Sequence, residues 1–161
     1  MKSTTLALLL AGALTATLMS TAQAEDFTPT GVTLHTFTRH SKPTFNDTNP
    51  GVGLQWLDAA RLDGVVAGFC RNSECRARMT PNTCEYSAYA AYIWQWQLTD
   101  AVKAGLTVGG VTGYTAAALL PLATPSLAYA AGKGIDVRIT WAPKFQKQGA
   151  HAFHITVEHA F

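Results

Sequence analysis

The side chains that could carry chemistry are few and scattered. His35 lies on the first extended run and Ser73 opens the second long loop. Brought into contact, they would support acyl transfer, with the imidazole as base toward a hydroxyl. Taken alone, such a pair reads as a buried histidine and a turn serine, so position has to decide between the two. Asn72, beside Ser73, can hold a neighbour by hydrogen bonding but carries no charge to stabilise an imidazolium. Three cysteines, Cys70, Cys75 and Cys84, permit one internal bridge in an oxidising compartment and leave one thiol over. Cys75 with Cys84 would staple residues 76–83 within one loop and is the preferred pairing; Cys70 with Cys84 would tie two neighbouring strands. No cysteines stand at C-x-x-C spacing and no histidines at i, i+4 on a helix, so neither a metal nor a cofactor is expected.

These residues must be held by the elements around them. The first 24 residues read as a cleaved secretory signal peptide: Lys2, an apolar run over 6–19, and Ala22-Gln23-Ala24 as the cleavage pattern. Residues 25–161 then form one domain, with no later helical membrane span. From Thr30 onward, extended runs alternate with turn residues. Eight are expected, over 30–39, 51–58, 64–72, 85–98, 103–114, 123–131, 135–142 and 151–161. Aromatic and β-branched residues are frequent in them, and helical spacing is hard to find.

Within these runs the alternation is informative. In 151–161, Phe153, Ile155, Val157 and Phe161 share one face, and His154, Thr156 and Glu158 the other. Ile135, Val137, Ile139 and Trp141 oppose Asp136, Arg138 and Thr140. Tyr92, Trp94 and Trp96 oppose Gln95 and Gln97. Apolar residues toward lipid and polar ones toward an interior are what an outer-membrane barrel needs. On that reading His35 points inward because Leu34 points out, and Arg138 and Glu158, on adjacent strands, form an interior ion pair. Connections 59–63, 99–102 and 132–134 are short; 40–50, 73–84, 115–122 and 143–150 are longer. Short turns at one end and long loops at the other complete the prediction of an all-β, eight-stranded antiparallel up-and-down transmembrane β-barrel.

Of 12 Lys+Arg, one is Lys2, which leaves 11 against 10 Asp+Glu, so net charge names no partner and gives no footprint for nucleic acid. The distribution says more. Arg39, Lys42, Arg71, Arg76, Arg78, Lys144 and Lys147 fall at the long-loop end, opposed there by Asp47, Glu74 and Glu85. A cationic rim suits lipid phosphates, which Arg can grip in bidentate fashion; ordinary solvated loop charge reads the same way.

Five segments carry a resemblance to a known family. They are Leu119-Leu120-Pro121-Leu122-Ala123, Thr140-Trp141-Ala142-Pro143, the Gly-rich 105–114, and Phe45-Asn46 followed by Pro50-Gly51-Val52-Gly53. In order and spacing they resemble the lipid A palmitoyltransferase of the Gram-negative outer membrane, over about residues 31–161. The resemblance implies transfer of an acyl chain from a phospholipid to lipid A, at a site built from a first-strand histidine and an Asp-Ser pair after the third strand. His35 and Ser73 match; Asn72 stands in place of the aspartate, as an orienting group. The family's acyl pocket ends at a fourth-strand glycine. Ile93 holds that position here and implies a ligand shorter than palmitoyl. Family prolines flank lateral openings for lipid, and Pro121, Pro125 and Pro143 either do this or mark strand ends.

The expectation is a monomeric outer-membrane barrel acting on or binding membrane lipids, phospholipid or lipid A. The alternatives are a non-enzymatic barrel that modifies the cell surface or binds a partner through its loops, and a soluble lipocalin-like carrier with an apolar interior.

Overall fold

A computed structural model describes residues 27–74, 86–114, 116–144 and 149–161. The described residues form eight strands: β1 (Gly31–His40), β2 (Thr48–Asp58), β3 (Asp63–Arg71), β4 (Tyr86–Thr99), β5 (Val102–Tyr114), β6 (Ala117–Gly132), β7 (Ile135–Ala142) and β8 (Ala152–Ala160). Each pairs antiparallel with its neighbours in chain order, and β1 also pairs with β8, so the sheet closes. Closure satisfies the ladder groups that an open sheet would leave at its two edges.

The alternation read from the sequence sets which side chains fill the barrel. Leu34, Leu54, Phe69, Trp94, Trp96, Leu127, Ile139, Trp141 and Phe153 are exposed on the outside. Thr33, Gln55, Ser87, Gln95, Thr124, Ser126, Arg138, Thr156 and Glu158 are buried, whereas the only buried apolar side chains among the described residues are Ala91, Ile93, Ala128 and Ala152. Among the described residues the usual soluble distribution is thus largely reversed: most buried side chains are polar and the outer wall is apolar. Arg138 meets Glu158 inside, as parity predicts, at 2.7 Å.

Short turns gather at one end. In the β2–β3 turn, Asp58 Oδ1 accepts from the amides of Ala60 and Arg61, and Leu62 takes a left-handed φ of 59°. Its carbonyl then accepts from Gln95 Nε2 at 3.0 Å, fastening the turn to the interior.

Two departures from simple alternation shape the site. Register between β1 and β8 shifts between His35 and Phe37, so that Thr36 is an extra residue. Its hydroxyl donates to the Ile155 carbonyl. A bulge of this kind re-aims the side chains beyond it: Thr38 and His40 turn inward, while Phe37 and Arg39 are exposed. The second departure corrects the expected loop at 115–122. β6 begins at Ala117 and its ladder with β5 runs from Tyr114↔Ala117 to Val102↔Tyr129, straight through Pro121 and Pro125. Each proline needs only one ladder neighbour here, because pairing with β7 starts at Ser126. Long connections therefore remain at three of the four junctions at that end: 41–47, 72–85 and 143–151.

Cys70 carries a free thiol, so it is not bridged to Cys84. It faces the interior beside Gly51, where a Cβ would come within 2.5 Å of the Cys70 side chain. The preferred Cys75–Cys84 pairing, the signal-peptide segment, Arg76, Arg78 and Lys147 lie outside the described residues.

Candidate functional site

Inside the barrel is a cavity of about 220 Å³. His35, Thr38, Asn49, Cys70, Ser73, Tyr89, Ile93, His154 and the Arg138–Glu158 pair all line it. It is smaller than the ~300–1,000 Å³ typical of sites for drug-sized ligands.

The cavity's inner end is closed by charge. Arg138 holds Glu158 with two parallel bonds, Nε to Oε1 at 2.7 Å and Nη2 to Oε2 at 3.0 Å. Its Nη1 donates to Ser126 Oγ at 2.9 Å and its Nη2 also donates to Gln95. Fork-to-fork pairing with further acceptors is the arrangement that makes a buried ion pair tolerable. Gly105 makes room for it: a Cβ there would lie 2.9 Å from Arg138 Nη1. Ile93 is buried on the wall of this cavity, two residues before Gln95, at the position proposed to limit an acyl chain.

In the middle of the cavity lies a chain of hydrogen bonds. Tyr89 Oη meets His35 Nε2 at 2.8 Å; His35 Nδ1 meets His154 Nε2 at 2.7 Å; His154 Nδ1 meets Thr38 Oγ1 at 2.6 Å. The two imidazoles stack with centroids 5.0 Å apart. Tyr89 reaches across the sheet because Gly53 has no side chain: a Cβ there would fall 2.2 Å from Tyr89 Oη.

Ser73 lines the same cavity at its long-loop end. Its Oγ accepts from Asn49 Nδ2 at 3.3 Å, and the same amide donates to the Arg71 carbonyl at 2.9 Å. Asn49 Oδ1 is buried without a hydrogen-bond partner among the described residues. Asn72 is buried beside Ser73, but its bonds go elsewhere. Nδ2 donates to Ser87 Oγ at 2.9 Å and to the Gly113 carbonyl at 2.6 Å, while Oδ1 accepts from the Glu74 amide. His35 and Ser73 thus share a cavity, each with other partners, and the Asn72 side chain is committed to the loop, β4 and β5. Nothing in the sequence singles out Tyr89, His154 or Asn49 as site residues. The polar parity of β8 marked His154 as inward-facing, but nothing marked which side chain it would meet.

At the rim, Asp47 gathers two of the basic groups. Arg39 Nη1 lies 3.3 Å from Oδ2, and His40 donates to Oδ1 through its backbone amide at 3.1 Å, with its ring Nδ1 at 2.8 Å. The His40 hydrogen bond holds the Asp47 carboxyl below its ordinary range. Lys42 and Arg71 also make interactions, and Lys144 is exposed. Among the described residues, no three His, Cys, Asp or Glu side chains gather to hold a metal ion.

The wall beside the cavity is interrupted. Between Ala117 and Pro125, β6 pairs among the described residues with β5 alone, and the cavity-lining Leu122 and Thr124 belong to this stretch. Pro125 immediately precedes Ser126, where the ladder with β7 starts, and a proline has no amide to donate. No protein-family model matches the chain, and no curated protein matches it.

Proposed function

We propose that the chain is an outer-membrane barrel that admits a lipid acyl chain into its interior, with His35 and Ser73 as candidate groups for acyl transfer and a phospholipid and lipid A as donor and acceptor. The observation that carries this reading is the break between β6 and β7 beside an internal cavity. A membrane-facing wall without a full ladder is where a lipid tail could enter from the side. The exposed apolar exterior and charged interior support insertion in a bilayer. Exposed Arg39 and Lys144 at the long-loop rim would meet lipid phosphates, together with Lys42, Arg71, Arg76 and Arg78.

The reaction would proceed from a hydroxyl of the acceptor, deprotonated by His35, to the ester carbonyl of the donor. Mass spectrometry of lipid A from cells expressing the chain tests it. One added acyl chain, lost in His35→Ala and Ser73→Ala, supports the enzyme. Unchanged lipid A beside a barrel that migrates heat-modifiably in detergent gels removes it.

One observation favours a second reading, a barrel that binds lipid or a partner without chemistry. Both ring nitrogens of His35 already have partners, and the Asn72 amide is spent on Ser87 and Gly113. Copurification of lipid with no transfer would select it.

A further inference from the structure

We infer that His154 is the positioning residue for His35, holding its Nδ1 so that Nε2 faces the cavity as a base; this rests on the acyl-transfer reading above.

A neutral imidazole has one donor and one acceptor nitrogen. Because all four ring nitrogens of the pair are engaged, the three bonds cannot be chosen independently. If His35 donates from Nδ1 to His154 Nε2, then His154 must donate from Nδ1 to Thr38 Oγ1, and His35 Nε2 is left as an acceptor toward Tyr89 Oη–H. The opposite polarity turns every bond round and makes His35 Nε2 a donor. Two self-consistent states exist, and a hydroxyl arriving at Nε2 as donor selects the first.

In triads of this kind a base is useful when a third group fixes its tautomer and orientation. Asn72 does not do so, since its amide is spent elsewhere, and Glu158 is tied to Arg138. At His35 Nδ1 the partner is His154, 2.7 Å away. Tyr89 Oη occupies the place at Nε2 that an acceptor hydroxyl would take. When that hydroxyl replaces it, its O–H proton passes to Nε2. The resulting oxygen bonds to the carbonyl carbon of the donor ester. The bond from that carbon to the donor's alcohol oxygen then breaks, and the departing oxygen takes the proton back from Nε2. Throughout, the Nδ1 proton stays on His35 and is donated to His154 Nε2.

The test is nitrogen-15 NMR of histidine-labelled full-length protein in detergent micelles, paired with transfer kinetics. The expected result is a through-hydrogen-bond coupling between His35 Nδ1 and His154 Nε2, with His35 Nε2 unprotonated. His154→Ala should scramble the His35 tautomer and lower kcat by about 100-fold, with KM moving by no more than about twofold. His154→Gln, whose amide oxygen can accept from Nδ1–H, should restore the tautomer and most of kcat. No coupling in the wild type, or a folded His154→Ala protein that turns over normally, overturns the inference. If His154→Ala does not fold, His154→Phe keeps a ring in the same space without an acceptor for Nδ1–H, and normal turnover there overturns the inference equally. A wild type that transfers nothing defeats the functional reading, while the coupling and the tautomer still decide the role of His154.

Discussion

Arg138 on β7 and Glu158 on β8 meet diagonally inside the barrel, joined by bonds of 2.7 and 3.0 Å. Both are buried, so each is the other's means of remaining charged there. Glu158→Gln or Arg138→Met alone should destabilise the barrel by ~3–5 kcal/mol, because an unpaired charge or an orphaned guanidinium stays inside. The paired change Arg138→Met/Glu158→Leu should recover most of that loss, limited by the bonds that Gln95 and Ser126 lose. Urea unfolding in micelles, followed by tryptophan fluorescence, would measure it; singles as stable as the wild type would contradict it.

Gly53 is predicted to be intolerant of any side chain. A Cβ there overlaps Tyr89 Oη at 2.2 Å and stands 3.0 Å from the Ala67 carbonyl. Gly53→Ala should cost ~1–3 kcal/mol, as over-packing does. Adding Tyr89→Phe removes the overlapping oxygen and should return part of the cost, so the two changes are expected to be non-additive. Additive losses in a double-mutant cycle would show that the tyrosine does not sit over the glycine.

The 41–47 loop should loosen in acid. The folded-state pKa of Asp47 is depressed, with the His40 hydrogen bond the largest cause. A depressed carboxyl contributes stability that is present above its unfolded pKa, ~3.9, and is lost as pH falls through the folded value. Protection of the His40 amide, whose N–H donates to Asp47 Oδ1, taken relative to its intrinsic exchange rate at each pH, should therefore fall below about pH 4. In Asp47→Asn, that protection should be low already at neutral pH and nearly flat through that window. The effect belongs to a partly exposed carboxylate and should be local, leaving global unfolding little changed.

Ile93 should set chain length. Replacing its buried side chain with glycine lengthens the cavity toward Gln95. On the acyl-chain reading, Ile93→Gly should shift copurified or transferred chains to longer species by mass spectrometry. The wild type should take chains shorter than sixteen carbons. A sixteen-carbon chain bound by the wild type would remove Ile93 as the limit.

Strand number, wall polarity and the buried ion pair were legible because a strand has a period of two, and a barrel makes that period absolute: every residue faces in or out. Ile139 and Arg138 could therefore be sorted without coordinates. Alternation could not provide the extra residue at Thr36. In unbroken register His154 would stand opposite Phe37; with the bulge it pairs with Thr38, and Thr38 and His40 turn inward. The histidine chain depends on that shift, and nothing in the types of Thr36 or Phe37 announces it. β6 starts six residues before the expected 123, with Pro121 inside the added stretch. A proline breaks a ladder only toward the neighbour its amide would have served, and which neighbour that is becomes visible only once β7 stops at Ala142. His35 and Ser73 share a cavity, but their contacts with Tyr89, His154 and Asn49 depend on register and on reach across the interior, which strand order does not specify.

The seam between β1 and β8 joins the two strands farthest apart in sequence. Hairpins can form between neighbours at any time, yet nothing can seal the cylinder before its eighth member arrives. Assembly should accordingly be slow and all-or-none, with the loss of β8 leaving β1 exposed to foreign partners rather than producing a smaller barrel.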